Sequence, residues 1–410
     1  MLPHVNSLRT MSPKVKVIGN SLRDLKTRRK LWLKLHLYLG LSAGAVFVLI
    51  GLAGSLSVFG PEIDSMLNPA LKKLSGGHAQ ITYRPLDEIA SAAKSVIPEQ
   101  GKPYAFVFPD RPDEAVIITY SLPAQALEQS EWHQVLVNPY NAEVLGQRLM
   151  FDAGNPWRGT LMNFFVRFHY TLALGEAGKT LTGIVALLLL FSVSTGLILW
   201  WPKPGKLWQA LTIKRHASVE RFNFDLHKSA GVYFAILLLV ILCSGIRMVF
   251  PAYVDDLVNL FSKLTPEPET LLSTEADHQL PISLVQVRAI TDNRFPDGAY
   301  KWIFFPQGAQ GFYRIVKRSP QEINRTRPSR TLWLDQYSGK IIHERDPLND
   351  SAGDAVLRWL YPLHNGEAFG LPGRILIVLA GLVPLLLYMT GIIRWLQKKR
   401  SEKIYNKQHI

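Results

Sequence analysis

The amino-acid sequence predicts an α-helical membrane protein in which a four-helix bundle carries two α+β domains outside the membrane. Three observations predict this fold class: four long apolar stretches, a one-sided distribution of basic residues, and an internal duplication. Because both copies begin and end on the same side of the membrane, we expect a pseudo-two-fold axis along the membrane normal to relate them.

Hydrophobic residues make up 48% of the 410-residue chain, and many of them are concentrated in four stretches. The stretches are Leu37–Phe59, Thr180–Trp201, Ser229–Phe250 and Ile375–Trp395. A helix needs about 20 apolar residues to cross the hydrocarbon core of a bilayer, so each stretch is long enough to cross once.

The basic residues indicate the orientation of the chain. Segments 1–34, 202–228 and 394–410 hold 21 of the 46 Lys and Arg residues but only 4 of the 32 acidic residues. The positive-inside rule places these segments in the cytoplasm, with both termini, and the two long loops outside. We therefore expect a multi-pass protein of a bacterial inner membrane. Membrane topology accounts for the net charge of +14, so no nucleic-acid partner is predicted.

The charge and hydropathy patterns divide the chain into alternating segments. In order, the predicted parts are a basic cytoplasmic tail (1–30), a first membrane helix (31–60), a first outside domain (61–156), an interfacial segment with a second membrane helix (157–202), a cytoplasmic basic loop (203–220), a third membrane helix (221–250), a second outside domain (251–355), an interfacial segment with a fourth membrane helix (356–397), and a cytoplasmic tail (398–410).

The duplication is visible as matching residues at identical spacings. His169, Gly175, Gly178, Thr195, Gly196 and Trp200 correspond without a gap to His364, Gly370, Gly373, Thr390, Gly391 and Trp395. Likewise, His36, Gly40 and Gly54 correspond to His227, Gly231 and Gly245. Such a common register across several residue types indicates a true internal repeat.

Each outside loop shows the pattern of a small α+β domain. Leu86–Val96 and Ile282–Ile290 have the spacing of short amphipathic helices. Alternating apolar segments follow each of them, and the last two segments of each loop are joined by a short turn, at 138–143 and 335–340. We expect one helix to pack on an antiparallel sheet in each copy.

Four histidines occupy equivalent places in the repeat and are the candidate cofactor ligands. A pseudo-two-fold axis would bring His36 towards His227 at the inner side, and His169 towards His364 at the outer side. Pairing within one chain and pairing across a dimer are both open. Two neutral imidazoles on facing helices form the ligand set of a six-coordinate b-type haem, so the sequence predicts haem b, with two haems per chain.

Further residues near these histidines bear on the predicted sites. Arg167 and Arg374 are candidate partners for haem propionates at the outer side. His169 lies 27 residues before Gly196, which at about 1.5 Å per residue is longer than the membrane core. Either the outer pair lies above the core, or the chain breaks near the glycines at 175–178 and 370–373.

Several of these motifs resemble a known family. The segments Leu35–Leu41 and His364–Gly391 resemble the two signatures of the PepSY-associated transmembrane proteins, also called iron-regulated membrane proteins. The segment from His169 is similar, with Tyr170-Thr171 and Lys179 departing from the pattern. The resemblance covers residues 28–400, and it implies that the outside domains are PepSY-like.

The resemblance implies a ferric-siderophore reductase, since some members reduce ferric siderophores through histidine-bound haem b. We therefore expect electron transfer across the membrane to a ferric siderophore or other ferric chelate in the periplasm, which would aid iron acquisition. Quinol and a cytoplasmic reductase are both open as electron donor. The alternative is a non-enzymatic, membrane-anchored PepSY module that acts on a periplasmic protein or peptidase.

Overall fold

The computed structural model describes residues 13–74, 82–123, 130–214, 216–266, 268, 270–274 and 279–408. The described residues form two compact units. The described residues of 1–48, 184–242 and 383–410 form the first unit, and those of 49–183 and 243–382 form the second. Residues 1–12 of the predicted basic tail lie outside the described part, and the rest of that tail is helical from Pro13, because its Lys, Arg and Leu residues favour helix.

The described part of the chain contains thirteen α-helices. They are α1 (Pro13–Val58), α2 (Gly60–Leu67), α3 (Pro69–Lys72), α4 (Leu86–Lys94), α5 (Leu161–Thr171), α6 (Gly175–Trp200), α7 (Leu207–Leu211), α8 (Val219–Tyr233), α9 (Ala235–Val249), α10 (Pro251–Asn259), α11 (Leu284–Arg294), α12 (Ala352–Asn365) and α13 (Gly370–Gln408). Two short 3₁₀ helices lie at Pro347–Asn349 and Glu367–Phe369.

Three of the helical segments are long and apolar enough to cross a membrane, namely Thr27–Val58, Gly175–Trp200 and Glu367–Gln408. A fourth span is possible if α8 and α9 form one crossing, although the two helices meet at a bend of 56°. These segments cover the four apolar stretches of the sequence except for the last residue of three of them, at Phe59, Trp201 and Phe250. The prediction of a membrane protein with several apolar helices is therefore confirmed.

The repeated glycines mark a break in the chain before α6 and before α13. After α5 ends, Leu172, Ala173 and Gly175 adopt positive φ angles, and after α12 ends, Gly366 and Gly370 do so. A Cβ added at Gly178 would overlap the carbonyl oxygen of Thr171, and one added at Gly373 would overlap that of Gly366. Of the two alternatives from the sequence, the chain adopts the break, and glycine permits both the turn and the close packing.

The eight described strands form a single antiparallel sheet in the second unit. The strands are β1 (Lys102–Val107), β2 (Val116–Pro123), β3 (Ser130–Val137), β4 (Val144–Asp152), β5 (Ala299–Phe304), β6 (Phe312–Arg318), β7 (Thr331–Asp335) and β8 (Ile341–Arg345). Their order is β4-β3-β2-β1-β5-β6-β7-β8, so the arrangement of one copy mirrors that of the other about the β1–β5 pair.

The two outside domains that the sequence predicts share one sheet and one hydrophobic core. β1 pairs with β5 through Phe106 and Ile303, and α4 and α11 bury apolar side chains in the same cluster. Pairing the two edge strands satisfies backbone groups that each copy alone would leave exposed. The carboxylate of Asp87 in α4 also accepts hydrogen bonds from the Leu284 and Val285 amides at the start of α11 (2.8 and 3.0 Å), which links the two copies.

Candidate histidine-pair sites

His36 and His227 lie close together in the first unit. His36 is on α1 and His227 is on α8, and their ring centroids are 6.3 Å apart with the ring planes at 85°. The two residues belong to different copies of the repeat but to one chain. We call them the inner pair, after the side of the membrane that the sequence predicts for them.

The inner pair is held by two threonines that also correspond in the repeat. Nδ1 of His36 lies 3.0 Å from the Ser192 carbonyl oxygen and 3.2 Å from Thr195 Oγ1. Nδ1 of His227 lies 2.8 Å from Thr390 Oγ1. Both threonine hydroxyls donate to backbone carbonyls of their own helix, so their oxygens can only accept from the imidazoles. The hydrogen is therefore assigned to Nδ1 in both rings, which leaves the Nε2 lone pair available for a metal.

His169 and His364 form a corresponding outer pair in the second unit. His169 is near the end of α5 and His364 is near the end of α12, and their ring centroids are 6.0 Å apart with the planes at 62°. Nδ1 of His169 donates to the Ile50 carbonyl oxygen at 2.9 Å, and Nδ1 of His364 lies 2.9 Å from Ser244 Oγ. The chain breaks after α5 and α12 leave these two histidines on separate short helices.

Each of the four imidazole rings packs against a glycine of the repeat. A Cβ added to the glycine would lie 2.7 Å from the His169 ring at Gly54 and 3.1 Å from the His36 ring at Gly196. In the second copy, it would lie 3.5 Å from His364 at Gly245 and 3.6 Å from His227 at Gly391. A Cβ at Gly54 would therefore clash with the His169 ring, whereas a Cβ at Gly196 would need the His36 ring to move by a few tenths of an ångström.

The spacing of both pairs suits two imidazoles on one metal ion. Two imidazoles bound on opposite sides of one iron, each at about 2.0 Å, place their ring centroids roughly 6 Å apart. The observed separations are 6.3 and 6.0 Å. The donor set therefore fits the six-coordinate haem iron that the sequence predicts.

The two arginines that the sequence predicts near the outer pair differ in their partners. Arg167, two residues before His169, stacks over the Phe151 ring at 4.3 Å, and its Nη1 is buried without a hydrogen-bond partner among the described residues. Arg374 donates to Glu62 Oε1 at 2.6 Å and to the Val58 carbonyl oxygen at 2.7 Å. Arg167 is thus the one of the two with an unused buried donor.

Sequence reasoning did not find the groups that orient the histidines. The threonines and the ring-contacting glycines appear in the repeat, but nothing in their spacing shows that they contact the histidines. Ser244 and the carbonyl groups of Ser192 and Ile50 have no sequence signal, because any residue supplies a carbonyl oxygen. Two other glycines of the repeat differ from these: a Cβ added at Gly40 would meet no described atom within 4 Å, and one added at Gly231 would lie 3.8 Å from the Leu387 side chain.

A comparison with protein families assigns the chain. The family described as the PepSY-associated TM region matches residues 33–398, which include both histidine pairs and the whole sheet. The chain belongs to this family, and it is a membrane-associated protein with several apolar helices. No curated protein is similar enough to give a match.

Proposed function

We propose that this protein is a bacterial inner-membrane oxidoreductase that delivers electrons to a ferric siderophore or other ferric chelate in the periplasm. In this proposal α1, α6, α8–α9 and α13 form a four-helix bundle with a pseudo-two-fold axis, both termini are cytoplasmic, and the sheet represents two fused PepSY-like domains. His36 with His227, and His169 with His364, would hold two haem b groups.

The observation that supports the proposal most strongly is the pairing of histidines from equivalent positions of the two copies. Separations of 6.3 and 6.0 Å suit a shared metal, and two such pairs arise in one chain. A histidine that only anchors a helix end to the interface needs no partner histidine at this distance, so anchoring does not explain the two pairs.

Bound haem b supplies one-electron redox chemistry, whose potential depends on axial ligands, hydrogen bonds and burial. The residues of this chain have separate tasks. Thr195, Thr390 and the Ile50 carbonyl hold Nδ1–H and so raise the basicity of Nε2. The unpartnered Nη1 of Arg167 provides a donor for a propionate beside His169.

Reduction at the outer side would release iron from its chelate. Hard oxygen ligands hold Fe(III) much more tightly than Fe(II), so one electron per iron is sufficient to weaken the complex. The electron donor is either quinol or a cytoplasmic reductase, because the chain shows no nucleotide-binding motif of its own.

The decisive test is a reduced-minus-oxidised absorbance spectrum of the full chain, purified in detergent from haem-replete cells. We expect the sharp α and Soret bands of low-spin haem b and about two haems per chain. With chemically reduced protein, an Fe(II)-specific indicator should then report reduction of an added ferric chelate. A folded protein that stays colourless after haem is supplied would refute the proposal and favour the membrane-anchored binding module.

A further inference from the structure

The sheet has a second face, opposite the hydrophobic core, that carries a continuous row of aromatic rings. The ring centroids of Phe151 and Trp132 are 5.7 Å apart, those of Trp132 and Tyr104 4.7 Å, those of Tyr104 and Phe304 5.6 Å, and those of Phe304 and Trp302 6.1 Å. We call these five residues the aromatic row. Tyr104 is 36% exposed and the other four are half-buried, so the row is accessible along its length.

The local structure of the sheet produces this row. The register of β1 shifts between Pro103 and Ala105, and such a bulge redirects the Tyr104 side chain away from the core face that Phe106 occupies. On the intervening strand β2, Ser121 lies opposite Trp132, and its small side chain allows the Trp132 and Tyr104 rings to meet. The row therefore continues across the junction between the two copies.

Two guanidinium groups lie over rings of the row, one in each copy of the repeat. One of these arginines is also close in sequence to the outer pair. Arg167 lies 4.3 Å over the Phe151 ring, and Arg314 lies 4.0 Å over the Phe304 ring. Arg167 lies on α5, two residues before His169. The first ring of the row, Phe151, therefore contacts the helix that carries an outer-pair histidine. An arginine has five N–H donors, and Arg167 can contact a propionate and a second anion together.

We propose that the aromatic row binds an anionic ferric chelate whose iron-binding groups are aromatic rings of the catecholate type. This inference rests on the proposed function and names the kind of substrate that its outer site accepts. Flat rings of the chelate stack on Trp132, Tyr104 and Phe304, and the two guanidinium groups attract its negative charge. A neutral chelate without aromatic rings gains neither interaction.

The test is binding of a gallium(III) tris-catecholate to the full chain, measured by equilibrium dialysis. Gallium(III) has the charge of Fe(III) and is not reduced, so binding is measured without electron transfer. We expect saturable binding by the wild type and about tenfold weaker binding by Trp132→Leu, since a lost aromatic contact costs about 1.4 kcal/mol. Trp132→Phe keeps a ring in the row and should retain most of the affinity.

Trp333→Leu is the matched control. Trp333 is half-buried on the same face of the sheet, on β7, and lies opposite Arg314 in the strand register. Its ring contacts His343 and is not part of the row, and Arg314 itself stays unchanged in this variant. We expect Trp333→Leu to bind within twofold of the wild type. An equal loss in both leucine variants would mean that the rings only stabilise the sheet, and the proposal would be wrong.

Two further outcomes would also overturn this proposal. One is the absence of saturable binding by wild type, and the other is equally tight binding of a neutral gallium(III) trihydroxamate. A chain that shows the haem spectrum but binds no gallium complex refutes this inference and leaves the proposed function standing. A chain without the haem spectrum refutes both.

Discussion

In the first copy of the repeat, a Cβ at Gly54 would lie 2.7 Å from the His169 ring, whereas in the second copy the equivalent Gly245 leaves 3.5 Å to His364. The inner glycines differ in the same direction, with 3.1 Å at Gly196 and 3.6 Å at Gly391. The histidine–glycine contact is thus present in both copies, but the first copy packs more tightly. Both copies have kept the contact between glycine and histidine, but they differ in the space that a larger residue would have at the glycine.

The helices that carry these residues differ more between the two copies than the contacts do. In the first copy α1 is one continuous helix, whereas the equivalent segment of the second copy is broken at Phe234 into α8 and α9. Tyr233 Oη and Ser229 Oγ both donate to the carbonyl oxygen of Leu211, the last residue of α7, which holds α8 against the end of α7. Equivalent histidines therefore occur on unlike helices, which indicates that the positions of the histidines are more constrained than the helices that carry them.

The largest expected effect comes from removing one histidine. His169→Ala and His364→Ala should each lower the haem content from about two to about one per chain, although the two residues belong to different copies. In the proposed function each pair takes one ligand from each copy, so either change leaves a single imidazole. The haem-to-protein ratio measures this. His133→Ala and His343→Ala, both within the sheet, are the controls and should change nothing; different losses at His169 and His364 would contradict the pairing.

The next largest effect concerns stability, and it depends on the difference between the equivalent turns at Asn138 and Asp335. Burial alone would raise the pKa of Asp335, but hydrogen bonds from the Ser338, Thr274 and Tyr337 amides and from the Ser338 hydroxyl outweigh it and hold the pKa at about 2. Relative to an ordinary value of 3.8, the shift corresponds to about 2 kcal/mol of stability. This contribution is present above pH 3.8 and is lost as the pH falls towards 2.

Asp335→Asn gives the second copy the residue of the first. It places an amide donor opposite the Thr274 N–H, which now donates to Asp335 Oδ2 at 2.7 Å. We expect the free energy of unfolding at pH 7 to fall by about 2 kcal/mol, and the difference from wild type to shrink below pH 3.8. Denaturant titrations at several pH values measure this. A difference independent of pH would show that the carboxylate charge is not responsible.

A smaller effect is expected from the two outer glycines. Gly54→Ala should lower the affinity for the outer haem about tenfold, because a clash that costs 1–3 kcal/mol displaces His169. Gly245→Ala makes an ordinary contact and should change the affinity less than twofold. Both glycines lie within helices, where alanine is favoured to the same degree. The comparison of the two alanine variants therefore controls for the change in helix propensity. Haem titration of the apoprotein measures both, and equal effects would contradict the difference in packing.

At the inner threonines we expect an effect no larger than that of Gly54→Ala. Thr390→Val removes the hydroxyl 2.8 Å from His227 Nδ1, whereas Thr195→Val removes one at 3.2 Å and leaves the Ser192 carbonyl oxygen 3.0 Å from His36. Loss of such an orienting partner lowers metal affinity by about tenfold or more, and we expect Thr390→Val to lie near that value and Thr195→Val below it. The midpoint potential of the inner haem should shift in the same order. A larger shift for Thr195→Val than for Thr390→Val would contradict this prediction.

Local patterns predicted much of the fold. Leu86–Val96 and Ile282–Ile290, predicted as amphipathic helices, appear as α4 and α11; α4 begins at the predicted residue, and the other three ends are shifted by two to four residues. The strand–turn–strand segments around 138–143 and 335–340 appear as β3–β4 and β7–β8. These features depend on the spacing of neighbouring residues, which the sequence displays directly.

The sequence by itself determined the apolar segments and the equivalence of the four histidines, and its basic residues predict an orientation in the membrane. The tertiary structure decided that His36 meets His227 and His169 meets His364 within one chain, that Arg374 is already paired with Glu62, and that two predicted domains form one sheet. The physical reason is the range of the interactions. Periodicity and charge are local properties, whereas ring contacts, hydrogen bonds to backbone carbonyls and the β1–β5 pairing join residues that only folding brings together.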